Sequence, residues 1–298
     1  MPLISIILPT YNVEKYIARA LESCINQTLK DIEIIVVDDK GQDKSIDIAY
    51  EYANKDSRIK IIHNITNKGT YEARNIGVRN ANSELIMFLD PDDELELNAC
   101  DIALESMKSN IDMVCFSAFS IINNQSSYFI KRDNKLLGNI EYMQEKSIWS
   151  IWARVIRKDV FLKVIEIIGK QDRLVMAEDA LISYVLANIC NRILLNSNSV
   201  YKYYEDIESI TKSYDSEKYK AVEYSYFKVI ELIDNISKMN DFNKNYSEYC
   251  KNKLLAEYYS YSRRIYKKKN ILKYLKLKLI SIKQQKLVKL SYERLKCH

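Results

Sequence analysis

Residues 3–39 read LISIILPTYNVEKYIARALESCINQTLKDIEIIVVDD. Residues 3–9 are a mostly apolar run that ends at a proline, and residues 13–30 carry apolar side chains at helical spacing. A second apolar run, residues 32–37, stops at Asp38 and Asp39. A strand, a helix and another strand in this order predict a βαβ unit whose two strands are parallel.

The same alternation continues along the chain. Further helices are predicted at 43–54, 70–82 and 177–189, and further strands at 59–63, 85–89, 112–122 and 193–204. Apolar strands of this kind are typical of a parallel sheet buried on both faces. The sequence therefore predicts an α/β domain over residues 1–215, with a mostly parallel sheet flanked by helices, and a helical region over residues 216–298.

The composition excludes several kinds of protein. The 298 residues are 47% hydrophobic, which allows a large core. The six cysteines form no CxxC pair, and the two histidines are too few for a His-based triad or metal site. No signal peptide or apolar run of about 18 residues is present. We therefore expect a protein of a reducing, cytoplasmic compartment without a transmembrane helix.

Polar residues follow three of the predicted strands: Thr10-Tyr11-Asn12, Asp38-Asp39 and Asp90-Pro91-Asp92-Asp93. Ligands of such sheets bind beyond the carboxyl ends of the strands, so these residues are the first candidates for a site. Three carboxylates within four residues repel one another unless they are exposed or neutralised by a cation. Oxygen ligands suit Mg²⁺ or Mn²⁺, whereas the alternative is a solvated acidic turn that caps the next helix.

No glycine-rich phosphate loop follows the first strand. Neither GxGxxG nor GxxxxGK[ST] occurs there, since the strand ends in Pro9 and Thr10. This absence argues against a dinucleotide-binding enzyme, a P-loop enzyme and a nucleotidyltransferase. A metal ion on the acidic loop would supply the missing positive charge.

Five motifs together resemble family-2 glycosyltransferases with the GT-A fold. They occur in the order and at the approximate spacing of that family, and the resemblance covers about residues 1–215. The motifs are ISIILPTYN (4–12), IIVVDD (34–39), NKG with ARN (67–69 and 73–75), FLDPDD (88–93) and MAED (176–179). The stretches YIARALESCINQTLKDIEIIVVDD and FLDPDDELELNAC are most similar to bacterial lipooligosaccharide β-1,3-galactosyltransferases.

The resemblance implies a nucleotide-sugar site in which Tyr11 stacks on the base, Asp39 contacts uracil, and Arg74 and Asn75 lie near the phosphates. The residues implied to bind the nucleotide sugar are Pro9, Thr10, Tyr11, Asn12, Asp39, Asn67, Arg74, Asp90 and Asp93. The alternative interpretations are a rim or core aromatic for Tyr11 and a surface arginine for Arg74.

The resemblance also implies the metal and the catalytic groups. Asp92 would bind Mn²⁺ or Mg²⁺ directly, with Asp90 nearer the ribose or the metal, while Asp93 positions the sugar or orients the loop. Asp179 would be the general base of an inverting transfer, and Glu178 would contact the acceptor or support Asp179. The alternative for this acidic pair is a helix N-terminus that favours acids.

Trp149 and Trp152 match a position where the family often carries an aromatic residue beside the acceptor, with core packing as the alternative. Ser209, Thr211 and Lys212 match a segment that closes over the diphosphate. Glu205 and Asp206 stand where many relatives carry a basic residue, which weakens that prediction.

The end of the chain is basic. Lys and Arg recur between apolar residues over 263–296, and Glu293 is the only acid in residues 259–298. Basic amphipathic helices of this kind lie on anionic membranes, so we expect peripheral binding at the cytoplasmic face of the inner membrane. A helical cap with a solvated basic face is the alternative. Nucleic acid is not an expected partner, because no recognition motif is present.

The combined expectation is the inverting transfer of a hexose from a UDP-sugar to a saccharide acceptor. The resemblance implies UDP-galactose, a β-1,3 linkage and a lipooligosaccharide acceptor, with UDP-glucose, UDP-GlcNAc and UDP-GalNAc as alternative donors. A non-catalytic, membrane-docked module that binds a nucleotide or a glycan is the alternative from another class.

Overall fold

The computed structural model describes residues 1–108, 110–145, 149–205, 216–267 and 271–296. One sheet is built from β1 Ile4–Thr10, β2 Ile32–Asp38, β3 Ile59–His63, β4 Leu85–Phe88, β5 Glu94–Leu95, β6 Met113–Ile122, β7 Gln125–Ile130, β8 Lys135–Leu137, β9 Arg154–Arg157 and β10 Ile193–Tyr204. The helices are α1 Ile17–Ile25, α2 Ser45–Ala53, α3 Thr70–Asn80, α4 Ala99–Ser106, α5 Asn139–Gln144, α6 Lys158–Ile168, α7 Glu178–Ile189, α8 Ser216–Met239, α9 Lys244–Tyr266 and α10 Ile271–Lys296.

The strands follow the order β3-β2-β1-β4-β9-β6-β10-β5, with β7 beside β6 and β8 beside β10. β1, β2, β3 and β4 are mutually parallel, and β10 is parallel to β6. β9 runs antiparallel to both β4 and β6 and so joins the two parallel parts. The predicted α/β fold with helices on the sheet is confirmed.

Both faces of the sheet are covered by helices. All seven residues of β1 are buried, as expected for a central parallel strand. Ile7 belongs to the core cluster that includes residues of α3, α6 and α7, whereas Ile6 and Leu8 belong to the cluster that includes residues of α1 and α4. The packing of α3 is close, because a Cβ added to Gly77 would overlap Cγ2 of Ile7.

The three C-terminal helices extend the core on the α7 side of the sheet. Val229, Leu254 and Leu295 belong to the same buried cluster as Tyr184 of α7. The Tyr184 hydroxyl also lies 2.7 Å from Oγ of Ser247 on α9. Helices after residue 215 were predicted and are confirmed, whereas the division into domains at 215 stays a prediction. Within the described ranges, no helix combines the length and apolar character needed to cross a bilayer.

Candidate active site

The carboxyl end of β1 presents two of the predicted nucleotide-binding residues. Tyr11 is 37% exposed, and Asn12 adopts a left-handed backbone with φ 52°. Pro9 and Thr10 are instead buried within β1, and Oγ1 of Thr10 donates to the carbonyl of Leu8 at 3.1 Å. These two residues lead into the exposed Tyr11 and Asn12, and their own contact with the nucleotide stays a prediction.

Asp39 organises the loop that leads into α3. Its carboxylate, 3% exposed, accepts hydrogen bonds at 2.8 Å from Nδ2 of Asn64 and from the backbone N–H groups of Lys68 and Gly69. Gly69 has φ +83°, which favours glycine, and a Cβ there would lie 3.0 Å from the carbonyl of Leu174. The carboxylate thus fixes the start of α3, and Gly69 allows this turn to approach the loop before α7 closely.

Tyr11, Asp39 and Asn67 line one cavity of about 450 Å³. The loop of residues 173–176 and the helices α8 and α9 complete its wall. Buried Oδ1 of Asn67 has no hydrogen-bond partner among the described residues, so an acceptor is available on this wall. The structure thus brings together three side chains that were predicted to bind the nucleotide.

Arg74 joins the acidic loop after β4 to the start of α7. Its Nη2 lies 2.8 Å from Oδ1 of Asp90, and its Nη1 lies 2.5 Å from Oδ1 of Asp179 and 3.8 Å from Oε1 of Glu178. Only 2% of Arg74 is exposed, so it is not a surface arginine. Burial by itself lowers the pKa of Arg74, but the charges of Asp179 and Asp90 outweigh it and raise the pKa above its ordinary value.

Glu178 and Asp179 begin α7 directly after Ala177, whose φ of 68° is unusual for a residue with a side chain. Burial, together with the charge of Asp179, raises the pKa of Glu178 to about 7. Burial also raises the pKa of Asp179, although the guanidinium of Arg74 opposes this shift. A partly accessible carboxylate whose pKa is raised toward neutrality is suited to accept a proton.

The three aspartates after β4 have different surroundings. Asp92 lines a second cavity, of about 270 Å³, together with Arg19 and Tyr204. Its side chain reaches solvent through a crevice. The residues that surround it there and the charge of Asp90 raise its pKa to about 6. The alternative of a helix-capping turn is wrong, because β5 follows the loop and α4 begins only at Ala99.

Asp93 is buried and holds the last sheet strand in place. Its carboxylate accepts hydrogen bonds of 2.8 Å from the Tyr201 hydroxyl and from the backbone N–H of Tyr204. Burial and the charges of Asp92 and Asp90 raise its pKa to about 8. Of the two roles considered for Asp93, these contacts favour orientation of the loop over contact with the sugar.

Trp149 and Trp152 lie in different surroundings. Nε1 of Trp149 donates to Glu257 on α9 at 2.7 Å, and Nζ of Lys253 lies 4.0 Å from its ring centre. Trp149 therefore packs against α9, and its contact with an acceptor stays a prediction. Trp152 is 6% exposed and stacks on Tyr201, whose hydroxyl reaches the acidic loop.

Sequence reasoning missed Tyr201 and the buried Arg154, whose charge opposes the rise that burial causes in the pKa of Asp179. Aromatic alternation in YKYY was the available signal for Tyr201. No sequence signal marked Arg154, because it lies in none of the five motifs. Asp206, Ser209, Thr211 and Lys212 lie outside the described residues.

Similar proteins place the chain in a family. The profile described as "Glycosyl transferase family 2" matches residues 5–165, which is more than half of the chain. The chain therefore belongs to glycosyl transferase family 2.

Two relatives that match parts of the chain are described as glycosyltransferases. EpsJ of Bacillus subtilis (strain 168), an uncharacterized glycosyltransferase, is 31% identical over 222 residues, which cover 71% of this chain and 64% of EpsJ. An uncharacterized glycosyltransferase of Haemophilus influenzae is 44% identical over 110 residues, covering 37% of this chain and 44% of that protein. The chain thus spans less than two thirds of either relative.

A crystal structure of S. aureus TarS, residues 1–349 in complex with UDP, superposes with a TM-score of 0.66. It is 22% identical and covers 89% of this chain and 74% of that chain. This likeness shows that the fold is shared.

Proposed function

We propose that this protein transfers a sugar from a UDP-sugar to a saccharide acceptor with inversion at the anomeric carbon. The observation that carries the proposal is the Arg74 salt-bridge network, which couples the acidic loop at Asp90 to the carboxylate of Asp179. The cavity lined by Tyr11 and Asp39 opens at the same edge of the sheet, which is where α/β sheets bind nucleotides.

In this proposal Asp179 acts as the general base. The acceptor hydroxyl oxygen attacks the anomeric carbon while its proton passes to Asp179, and the bond from that carbon to the diphosphate breaks with its electron pair leaving on UDP. Inversion needs one carboxylate on the face opposite the leaving group, so no covalent intermediate is required. Arg74 positions Asp179 through their salt bridge. Glu178, whose pKa is raised to about 7 by burial and by the charge of Asp179, shares this acidic site.

A divalent cation fits the acidic loop only with the help of the donor. Within the described part of the chain, no three His, Cys, Asp or Glu side chains are arranged to hold a metal by themselves. Burial and, after it, the negative charge of Asp90 nevertheless raise the pKa of Asp92, so a cation there would relieve an unfavourable charge. We propose that they hold Mn²⁺ or Mg²⁺ together with donor phosphates. Such an ion would stabilise negative charge on the departing diphosphate.

The identities of the donor sugar and of the acceptor are narrower hypotheses within this proposal. Galactose, a β-1,3 linkage and a lipooligosaccharide acceptor follow from the sequence resemblance. UDP-glucose, UDP-GlcNAc and UDP-GalNAc are the alternative donors that an assay separates. A non-catalytic module would bind UDP without turnover, and a nucleotidyltransferase would release pyrophosphate rather than UDP.

Binding of UDP tests the nucleotide site. Titration calorimetry with UDP and Mn²⁺ should give saturable binding, and Tyr11→Ala should weaken it roughly tenfold because a stacking ring is lost. Tyr50→Ala is the matched control, since Tyr50 is an exposed tyrosine on α2, outside the cavity. Absence of UDP binding to the wild-type protein would contradict the proposal.

We further propose that α10 docks on an anionic membrane surface. Its inner face is buried through Leu277, Ser281 and Gln284, and Gln284 bonds to Asn252 of α9. Its outer face exposes apolar side chains between lysines. These exposed side chains are Ile271, Leu272, Leu275, Leu279, Ile282, Leu287 and Leu290, with Lys276, Lys278, Lys283, Lys286 and Lys289. Apolar side chains flanked by lysines suit anionic phospholipids.

Co-sedimentation with phosphatidylglycerol vesicles tests this surface. Each lysine near such a surface contributes roughly 1 kcal/mol, so Lys283→Glu with Lys286→Glu should release most of the protein. The control pair Lys55→Glu and Lys108→Glu reverses two exposed charges away from α10. Equal sedimentation of both double variants would contradict membrane docking by α10.

A further inference from the structure

Aromatic side chains form a stack that begins at the acidic loop. The hydroxyl of Tyr201 donates to Oδ2 of Asp93 at 2.8 Å and accepts from the backbone N–H of Asp90 at 3.2 Å. Trp152 lies almost parallel to Tyr201, with ring centres 4.5 Å apart and an interplanar angle of 17°. The position of Trp152 is thereby fixed relative to the acidic loop.

The stack continues to the surface through Phe129 of β7 and Tyr203 of β10. The ring of Tyr203 is nearly parallel to that of Trp152 at 5.6 Å, and Phe129 lies 5.7 Å from Trp152 and 5.0 Å from Tyr203. Phe129 is 48% exposed, whereas Trp152 is 6% exposed. We call Phe129, Trp152 and Tyr203 the aromatic platform.

The aromatic platform adjoins the carboxylates of the proposed active site. Tyr203 directly precedes Tyr204, whose backbone N–H donates to Oδ1 of Asp93 at 2.8 Å, so the platform lies beside the acidic loop. Flat rings beside charged acceptors match a sugar ring, which presents C–H groups on its face and hydroxyls at its edge. Core packing explains the burial of Trp152, but it leaves the exposed ring of Phe129 without a function.

We propose that the aromatic platform is the subsite that binds the acceptor saccharide, with Phe129 and Tyr203 contacting the face of the sugar ring. This inference rests on the proposed glycosyl transfer and identifies its second substrate site. Continuity with the acidic loop supports a saccharide over an unrelated apolar ligand, because Tyr201 joins Trp152 to the loop that we propose holds the donor phosphates.

The chain offers a direct probe, because Trp149 and Trp152 are its two tryptophans. In a Trp149→Phe background, the emission of Trp152 is measured while methyl β-galactoside, methyl β-glucoside and their 2-acetamido analogues are added in turn. At least one saccharide should change the emission saturably. Phe129→Ala should weaken that response roughly tenfold, whereas Phe129→Tyr, which keeps the ring, should retain it.

Phe227→Ala is the matched control, since Phe227 is a 44% exposed phenylalanine on α8, apart from the platform. Emission unchanged by every saccharide, or an equal response in Phe129→Ala, would overturn the proposal. UDP binding, measured by calorimetry on the same proteins, tests the proposed function separately from the acceptor subsite. Absence of UDP binding to the Trp149→Phe protein would contradict the proposed function, whereas the saccharide titration tests only the aromatic platform.

Discussion

At the scale of single residues, the arrangement around Arg74 concentrates charge in a nearly closed space. One guanidinium faces carboxylates of Asp90, Glu178 and Asp179 while only 3% of its side chain is exposed. Buried ion pairs of this kind are costly to break, because the partner left behind loses its countercharge. The network therefore both stabilises the fold and sets the ionisation of the proposed base.

Replacement of Arg74 by methionine should destabilise the protein by about 3–5 kcal/mol, because the buried carboxylates lose their countercharge. Urea unfolding measures the change in the free energy of unfolding. Arg79→Met is the control, since Arg79 lies on the same helix but is exposed. Equal stability of the two variants would show that the network does not support the fold.

Asp179→Asn should lower turnover by about 100- to 10,000-fold, since an amide cannot accept the acceptor proton. Binding of UDP should be nearly unchanged, because Asp179 does not line the cavity that holds Tyr11 and Asp39. Single-turnover kinetics and calorimetry measure the two effects. A variant that turns over at the wild-type rate would remove Asp179 from the mechanism.

The pH profile should reflect the raised pKa values of Glu178 and Asp179. A carboxyl with a raised pKa stays protonated to higher pH, so kcat/KM should rise with pH through an acid limb above 3.8, the ordinary value for aspartate. Glu178→Gln should leave the limb nearly unchanged, because a pKa of about 7 keeps Glu178 neutral while Asp179 loses its proton. A limb at or below pH 3.8 in the wild-type protein would contradict this assignment.

At the scale of elements, the packing of α3 on β1 positions Arg74. Gly77→Ala should cost about 1–3 kcal/mol, because the added Cβ overlaps Cγ2 of buried Ile7. Gly138→Ala is the matched control, since its added Cβ would meet atoms only at 3.7 Å and beyond. Thermal unfolding distinguishes them, and equal midpoints would indicate that α3 shifts freely on the sheet.

Long, periodic elements could be predicted from the sequence, and short ones could not. The apolar runs that became β1, β2 and β4 are buried on both faces, so their composition alone identifies them. β5 has two residues, and β7 exposes most of its side chains, so neither shows an apolar period. The sequence also did not predict that β9 pairs with both β4 and β6, because pairing between distant strands leaves no local pattern.

The candidate site was predictable to the extent that its residues follow strand ends. Asp39 and Asp90 were found in this way, but the role of Arg74 required the structure, since its partner Asp179 lies 105 residues away. Burial of Thr10 and the contact of Trp149 with Glu257 also depend on tertiary packing. Local sequence contains no information about such contacts.

At the scale of the whole molecule, the C-terminal helices share a core with the sheet domain. Truncation after residue 215 should leave apolar side chains of α7, such as Tyr184, without Val229 and Leu254. We expect this fragment to lose cooperative thermal unfolding, whereas truncation after residue 267 should retain it with a lower midpoint. A fragment of residues 1–215 that unfolds cooperatively and binds UDP would instead show an independent domain.

One assay addresses the proposed chemistry as a whole: UDP release from a panel of UDP-sugars, with and without Mn²⁺ and a saccharide acceptor. The wild-type protein should release UDP from one donor in a metal-dependent and acceptor-stimulated manner. Asp92→Ala and Asp179→Asn should both strongly reduce this release. Release that is unaffected by metal removal and by both substitutions would contradict the assigned roles of the acidic loop and of Asp179.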